Sequence, residues 1–231
     1  MTHHPALPSE QKLIDQLRGK LVVSCQAPDG HPLRDPQTIA RIAECAALGG
    51  AAALRINSPQ DIVETRMRGV DLPIIGLWKI SFGHRSAITT TFDHAKALVD
   101  AGADIVAIEA TSETADGLEV IERTRSELRV PVMADVSAAH EGIAAWEAGA
   151  TFVGTTLSGY TRAQLPTPEG PDMALVTELV AAGIRTAAEG RFATPAEVTQ
   201  ALELGAHYVV VGRSITDPLA ITRRFASAAK L

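Results

Sequence analysis

The chain is dominated by one repeated pattern, in which short apolar runs alternate with helical segments. Four segments share one design. They are "ALGGAAALRI" from Ala47, "DAGADIVAIEA" from Asp100, "EAGATFVGTT" from Glu147 and "ELGAHYVVVG" from Glu203. Each reads as a helix end, a glycine and a short strand. Glycine suits that position because the residue after a helix often adopts a left-handed conformation. The repeat restricts the chain to folds in which strands and helices alternate.

A second design stands between these copies, in "VDLPIIGLWK", "LRVPVMADV" and "AGIRTAAEGR", and "KLVVSCQA" supplies an eighth apolar run. Proline before two of the runs suits the start of a strand, where its missing N–H costs least. The intervening segments have helical patterns, at residues 36–47, 60–68, 92–101, 116–128, 138–148, 172–182, 195–204 and 218–229. Four of these helices follow a predicted N-cap, namely Ser58, Thr91, Ser137 and Thr194.

Strands that are apolar on both faces and alternate with helices predict a parallel sheet covered by helices. Eight such units, with no linker or shift in composition, favour an α/β chain that forms a single (β/α)8 TIM barrel over residues 1–231. A doubly wound open sheet is the alternative. An extra helix at about residues 10–18 precedes the first strand and could plug the lower end of the barrel.

Charge and composition narrow the classes of function. The formal net charge of -6 argues against nucleic acid and membrane surfaces as partners. Cys25 and Cys45 form no metal-binding or redox motif and read as reduced thiols. The N-terminal residues resemble no secretion signal, and no apolar run has the length of a membrane span. A cytoplasmic protein with a small-molecule partner is expected. Barrels of this kind often pair, so a homodimer is one expectation.

The predicted strands end in polar, mostly ionisable residues. In barrels of this type the active site lies at the C-terminal ends of the strands. We therefore predict an active site from these strand-end residues, in chain order Gln26, Arg55 with Asn57, Lys79, Glu109, Asp135, Thr155 and Thr156, Glu189, and Gly212 with Arg213.

The last two strand ends predict a phosphate site. "AAEGR" and "VVVGRSITDP" each place a glycine at the strand tip, and the loops after strands seven and eight of such barrels commonly bind phosphate. Gly190 and Gly212 would let an anion approach the backbone, and Arg191 and Arg213 would add positive charge. A phosphorylated metabolite is the expected substrate.

Metal and cofactor chemistry find little support in the sequence. The seven histidines are scattered, which argues against zinc. Asp135 with Glu109 leaves Mg²⁺ as a minor alternative. Neither a nicotinamide fingerprint nor a nucleophile elbow is present, so no cofactor is expected.

Proton transfer is the chemistry that remains. Lys79, next to Trp78, is a candidate base because an apolar pocket disfavours its charged form. Glu189 could return a proton to the opposite face of the same carbon, and such a pair would invert a stereocentre. A lysine can also form a Schiff base, as in an aldolase. The residues alone leave both reactions open.

Several motifs, in order along the chain, resemble one known family. "SCQA", "LRIN", "IGLWK", "MADVS", "TTLSGYT", "AAEGRFATPAE" and "YVVVGRSITDP" are similar to those of N-acylglucosamine-6-phosphate 2-epimerase, also called N-acetylmannosamine-6-phosphate 2-epimerase. The resemblance begins at Leu21 and covers almost the whole chain from there. It implies a metal-free barrel of sialic-acid catabolism that interconverts N-acetylmannosamine 6-phosphate and N-acetylglucosamine 6-phosphate by moving the proton at C2.

The resemblance also implies roles for residues. Lys79 would be the proton-abstracting base and Glu189 the partner acid. Substrate-binding positions would be Gln26, Arg55, Asp135, Thr156 and Tyr160, and the glycines of the phosphate site would match the family's phosphate cradle.

The chain departs from the family's usual pattern at three mouth loops. It reads "INS" for "ANG", "ISFGHRSAITTTF" after the lysine, and "IEATSETADG" for a segment with "LDAT" followed by arginines and proline. The reaction type is therefore predicted more firmly than the acyl sugar. The alternatives are an isomerase, aldolase or synthase acting on another sugar phosphate, and a non-catalytic sugar-phosphate sensor.

Overall fold

Eight parallel strands close into a barrel in a computed structural model, which describes residues 8–82 and 85–229. Within these residues the strands are β1 (Lys20–Cys25), β2 (Ala53–Asn57), β3 (Ile74–Leu77), β4 (Lys79–Phe82), β5 (Arg85–Ile88), β6 (Ile105–Glu109), β7 (Val132–Asp135), β8 (Phe152–Gly154), β9 (Thr186–Glu189) and β10 (Tyr208–Val211). The barrel order is β1-β10-β9-β8-β7-β6-β3-β2, and β1 pairs with both β10 and β2. The predicted barrel is confirmed and the open sheet is wrong. Of the predicted domain, residues 1–7, 83–84 and 230–231 lie outside the described residues.

Helices cover the barrel at nearly the predicted positions. They are α1 (Pro8–Leu17), α2 (Pro36–Leu48), α3 (Pro59–Met67), α4 (Phe92–Asp100), α5 (Gly117–Arg123), which continues as a π-helical turn (Thr124–Leu128), α6 (Ala139–Glu147), a 3-10 turn (Arg162–Gln164), α7 (Met173–Ala181), α8 (Pro195–Glu203), α9 (Arg213–Thr216) and α10 (Pro218–Ala228). Among the described residues, no helix has the length and apolar character needed to cross a membrane.

Three of the four predicted N-caps are confirmed. The side chains of Ser58, Thr91 and Thr194 accept a hydrogen bond from the backbone N–H three residues later. Ser137 is wrong as a cap, because α6 begins one residue later, after Ala138. The Glu141 carboxylate instead accepts hydrogen bonds from the Ser137 hydroxyl and N–H, each at 2.8 Å.

The predicted N-terminal helix is confirmed as α1. Its Ile14 and Leu17 are buried in one cluster with Val22, Phe152 and Tyr208 from the strands. These residues fill the interior of the barrel, so α1 plugs its lower end as expected.

Strand alternation carries polar residues from the interior to the mouth. Met133 of β7 belongs to the interior cluster and Ala134 to the cluster under the helices. Asp135 follows and therefore points inward again, at the C-terminal end of the strand. The same alternation brings Arg55 on β2 and Glu189 on β9 to the mouth.

Contrary to the sequence prediction, Lys79 does not end the third barrel strand. Strand β3 ends at Leu77, and Lys79 begins an antiparallel hairpin of β4 and β5. Thr89 closes the base of the hairpin, because its hydroxyl accepts the Trp78 N–H at 2.9 Å and its N–H donates to the Trp78 carbonyl at 2.8 Å. The chain thus leaves the barrel after Trp78 and returns eleven residues later.

Candidate active site

Arg55 lies at the centre of the mouth. Its side chain is buried, and Nη1 donates to Glu189 Oε1 at 2.8 Å while Nη2 donates to Asp135 Oδ2 at 2.6 Å. Burial opposes the charge of the guanidinium, but the two carboxylates outweigh that effect and raise the pKa of Arg55. The guanidinium therefore stays charged and joins three strands, β2, β7 and β9, into one cluster.

Two threonines after β8 complete this cluster. The Thr156 hydroxyl lies between two carboxylates, 2.5 Å from Asp135 Oδ1 and 3.3 Å from Glu189 Oε2. The Thr155 hydroxyl accepts the Glu189 N–H at 3.0 Å and donates to the Glu189 carbonyl at 2.8 Å. The backbone and the side chain of Glu189 are thus both held by the same short segment.

Gly154 leaves the space that this network needs. A Cβ atom there would lie 2.4 Å from Met133 Cε, 3.0 Å from Thr156 Oγ1 and 3.1 Å from Asp135 Oδ1. Any side chain at this position would displace the contact between Asp135 and Thr156.

Lys79 lies at the start of the hairpin, and its backbone N–H donates to Asn57 Oδ1 at 2.8 Å. The surrounding protein displaces water from the ammonium and, with the charge of Arg55, lowers the pKa of Lys79 to about 8. Glu189 and Asp135 partly oppose this effect. Lys79 nevertheless remains exposed to solvent at the open mouth. A substrate that fills the mouth will displace this water and lower the pKa of Lys79 further.

Glu189 is the second group that titrates near neutral pH. Burial, reinforced by the negative charge of Asp135, raises the pKa of Glu189 to about 7, although Arg55 and Lys79 act in the opposite direction. Burial raises the pKa of Asp135 as well. The mouth therefore holds an amine and a carboxyl group that can both exchange protons at pH 7 to 8.

Gln26 lies just after β1, and only one of the two polar atoms of its side chain has a hydrogen-bond partner among the described residues. Its Nε2 donates to Ser24 Oγ at 2.7 Å, while its Oε1 is buried with no partner among the described residues. The Nε of Arg55 is likewise buried and unpaired there. Buried polar atoms without partners are rare, and both of these belong to side chains that the sequence predicts for the active site.

The predicted phosphate residues lie after the neighbouring strands β9 and β10. Gly190 has a φ of 112° and Arg191 a φ of 60°, so the chain turns sharply after Glu189. Gly212 packs against Ser24, since a Cβ atom there would lie 3.3 Å from the Ser24 Cβ. Arg213 opens the short helix α9.

The Arg191 side chain is engaged by the loop after β8. Its Nε donates to the Gly170 carbonyl at 2.5 Å, Nη1 donates to the Ser158 carbonyl, and the guanidinium carbon lies 5.7 Å from the centre of the Tyr160 ring. Two of the three guanidinium nitrogens of Arg191 are thus bound to backbone carbonyls of that loop.

Glu109 is placed differently from the other strand-end residues. Its carboxylate is fully buried and accepts hydrogen bonds from Arg85 of the hairpin, so the hairpin occupies it. Glu109 lies beside Asp135 in the register of β6 and β7. Its carboxylate is already bound by Arg85, and no group of three or more potential metal ligands occurs among the described residues. Sequence reasoning missed Arg85, although the short alternating segment "ISFGHRSAI" carries the pattern of a hairpin.

Known proteins resemble the chain over almost its full length. A family model described as putative N-acetylmannosamine-6-phosphate epimerase matches residues 39–231. A putative N-acetylmannosamine-6-phosphate 2-epimerase of Cutibacterium acnes is 44% identical, with 94% of this chain and 96% of the relative covered. Another, from Caldanaerobacter subterraneus subsp. tengcongensis, is 42% identical, with 96% and 95% covered.

Solved structures agree with these relatives. N-acetylmannosamine-6-phosphate 2-epimerase from Clostridium perfringens superposes with a TM-score of 0.87 at 35% identity, covering 99% of each chain. Thiamine phosphate pyrophosphorylase from Pyrococcus furiosus, at 18% identity and a TM-score of 0.61, shares the fold. The resemblance found in the sequence motifs is confirmed.

Proposed function

We propose that this chain, which belongs to the N-acetylmannosamine-6-phosphate epimerase family, is an isomerase that interconverts N-acetylmannosamine 6-phosphate and N-acetylglucosamine 6-phosphate. The observation that carries the proposal is the pairing of Lys79 with Glu189. Both groups titrate near neutral pH in one mouth, with Arg55 between the carboxylates. Inversion at one carbon requires such a pair, because one group removes the proton and the other returns it to the opposite face.

The C2 hydrogen is acidic because C2 neighbours the C1 aldehyde of the open-chain sugar. Neutral Lys79 accepts this proton at Nζ, and the electrons of the C–H bond pass into an enolate whose negative charge lies on the C1 oxygen. Arg55 is the positive group placed to stabilise that charge. Protonated Glu189 then donates its proton to the other face of C2, and the aldehyde is restored.

The nearly equal pKa values of the two groups suit a reversible reaction. After one turnover Lys79 carries a proton and Glu189 is ionised, which is the starting state for the reverse direction. With a pKa of about 8 for Lys79 and about 7 for Glu189, the two protonation states are close in free energy. Each group can therefore serve as base in one direction and as acid in the other.

The remaining predicted residues would bind the substrate. Gln26 Oε1 and Arg55 Nε have unsatisfied hydrogen-bonding capacity for sugar hydroxyl or amide groups, and Asp135, Thr156 and Tyr160 lie around the same mouth. The phosphate would lie against the backbone of the phosphate site defined above, Gly190, Arg191, Gly212 and Arg213. A doubly charged sugar phosphate does not cross membranes unaided, which favours a cytoplasmic setting.

A homodimer is supported by the C-terminal helix. No residue of α10 is buried, and Phe225 is 68% exposed. A largely apolar groove of about 430 Å³ lies beside its start, lined among others by Leu21, Ile42, Ile215 and Pro218. A second copy of the chain would cover these surfaces. Light scattering of the wild type and of Phe225→Glu tests this, and a monomeric wild type would contradict it.

Proton NMR in D₂O with N-acetylmannosamine 6-phosphate and a chelator tests the proposed reaction. We expect N-acetylglucosamine 6-phosphate to appear with deuterium at C2. Cleavage of a carbon–carbon bond would instead indicate an aldolase. Binding of the sugar phosphate without exchange would indicate a sensor, and either result would overturn the proposed function.

A further inference from the structure

The hairpin that carries Lys79 is held at its base from both sides. Lys79 is paired with Ile88 across the two strands of the hairpin. From β2, Asn57 accepts the Lys79 N–H at 2.8 Å. From β6, Glu109 accepts the Ile88 N–H at 3.1 Å. Since β2 and β6 are the neighbours of β3 in the barrel, the first residue pair of the hairpin is fixed between the two flanking strands.

The Glu109 carboxylate makes several further hydrogen bonds that hold it in place. Its carboxylate also accepts the Thr111 hydroxyl at 2.6 Å and both terminal nitrogens of Arg85, at 3.0 and 2.5 Å. The Arg85 side chain is only 10% exposed and that of Glu109 is fully buried. A buried ion pair with two hydrogen bonds between its partners has one preferred geometry, so it fixes the orientation of the hairpin.

The same ion pair connects three loops around the mouth. Arg85 Nε donates to Glu113 Oε2 at 2.9 Å, and Glu113 Oε1 accepts the Arg162 N–H at 2.8 Å. The hairpin after β3, the loop after β6 and the loop after β8 are therefore joined on the side of the mouth that carries Lys79.

We propose that the Arg85–Glu109 ion pair positions Lys79 for proton transfer by holding the hairpin against β6. The pair does not touch the reacting carbon, and the inference rests on the proposed function of Lys79 as the base. Arg85 and Glu109 are positioning residues in this sense.

Displacement of the hairpin would change how Lys79 titrates. The charged groups that face it come from several elements, Arg55 on β2, Asp135 on β7, Glu189 on β9 and Arg213 on α9. A hairpin that swings outward carries Lys79 away from the protein that excludes water, so the pKa of the lysine returns toward its ordinary value of 10.5. Less neutral amine is then present at pH 7.5.

The decisive variant is Arg85→Met with Glu109→Gln. It removes one positive and one negative charge, so the net charge is unchanged. The amide oxygen of a glutamine can still accept the Ile88 N–H, so the variant loses the ion pair together with the contact of Arg85 with Glu113. We expect kcat at pH 7.5 to fall about tenfold with KM changed less than about threefold, and the maximum of the kcat/KM profile to move to higher pH.

A second buried ion pair provides the matched control. Arg125 Nη2 donates to Glu10 Oε2 at 3.0 Å at the lower end of the barrel, with side-chain exposures of 14% and 2%. The variant Arg125→Met with Glu10→Gln should also lose stability. Its pH profile should match the wild type, because this pair is remote from Lys79.

Carbon-13 NMR of reductively methylated lysines measures the pKa of Lys79 without relying on turnover. The Lys79 signal is the one that disappears in Lys79→Arg. An increase of one unit or more in the double variant, absent in the control, supports the inference. An unchanged pKa and an unchanged pH profile overturn it.

If the wild type shows no exchange at C2, the proposed function fails, yet the NMR comparison still decides whether the pair positions the lysine. If the double variant does not fold, Arg85→Lys is compared with the wild type instead, because it keeps the positive charge and loses the bidentate hydrogen bonding to Glu109.

Discussion

The two sides of the mouth hold their proton-transfer groups in different ways. Glu189 stands on barrel strand β9 and is held by Arg55, Thr155 and Thr156. Lys79 stands on a hairpin outside the barrel, whose position depends on Asn57 and on the pair of Arg85 with Glu109. One group is placed by the register of the sheet and the other by side chains that reach across loops.

The difference shows which of the two groups can be repositioned by substitution without disturbing the barrel. Strand register fixes Glu189, Asp135 and Arg55 relative to one another, since neighbouring strands cannot slip without turning every side chain over. The hairpin can be adjusted by substitution at a few positions while that cluster stays intact. We therefore expect the carboxylate side to tolerate little change and the lysine side to adapt to different acyl sugars.

Lys79→Met tests the hairpin side with the largest expected effect. Loss of the base should lower epimerisation at least about 10³-fold, while the sugar phosphate still binds through the phosphate site. Proton NMR and calorimetric titration measure the two quantities. Lys96→Met is the control, because Lys96 is an exposed lysine on α4 that pairs with Asp100. Full epimerase activity in Lys79→Met would rule out the proposed mechanism.

Glu189→Gln tests the strand side and separates two bases from one. Epimerisation should fall about 10²- to 10⁴-fold, because no proton is returned to the second face. Lys79 should still exchange the C2 hydrogen of one epimer with solvent deuterium, and Lys79→Met should leave exchange only in the other epimer. Deuterium NMR of each epimer reads this directly. Exchange of both epimers in either variant would show that a single group serves both faces.

The pH profile of the wild type compares the two sides in one experiment. Lys79 must be neutral and Glu189 must be protonated, so kcat/KM should follow the product of these two fractions. With pKa values of about 8 and about 7, that product rises as the pH passes about 7 and falls as the pH passes about 8. The product of the two fractions is a narrow bell with its maximum near pH 7.5. A broad plateau between pH 6 and 9 would contradict these pKa values.

Gly154→Ala tests the packing beneath the carboxylates. The added methyl group would push against Met133 Cε, Thr156 Oγ1 and Asp135 Oδ1. We expect kcat about tenfold lower and an unfolding free energy about 1–3 kcal/mol smaller. Gly49→Ala is the control, since Gly49 has a φ of -75° at the end of α2, away from the mouth. Equal losses of activity in both variants would remove the special role of Gly154.

The smallest expected effect concerns stability. The folded-state pKa of Glu189 is raised from 4.5 to about 7, so its favourable contribution is complete below pH 4.5 and is lost as the pH rises through about 7. Glu189→Gln should therefore be more stable than the wild type at pH 8.5, by about 1–3 kcal/mol, and nearly equal at pH 4.5. Urea denaturation at the two pH values measures this. A destabilised variant at pH 8.5 would mean that the ion pair with Arg55 outweighs the cost of burying the charge.

The strand side could be predicted from the sequence and most of the hairpin side could not. Eight apolar runs with helices between them predict the barrel, and alternation along each strand then places Arg55, Asp135 and Glu189 in the mouth. The sequence places the end of the third apolar run at Lys79, and only the short alternation in "ISFGHRSAI" indicates the hairpin that follows. The partner of Glu109 lies 24 positions earlier in the chain, and local patterns do not report such pairings.

The dependence of Glu109 on Arg85 has a consequence for how the sequences of related chains diverge. Because Glu109 obtains its cation from the hairpin and not from its own loop, a change at either position leaves a buried charge without its counterpart. Positions 85 and 109 should therefore be inherited as a unit. Among close relatives of this chain, replacement of the arginine should accompany replacement of the glutamate, so the two positions would mark a lineage within the family.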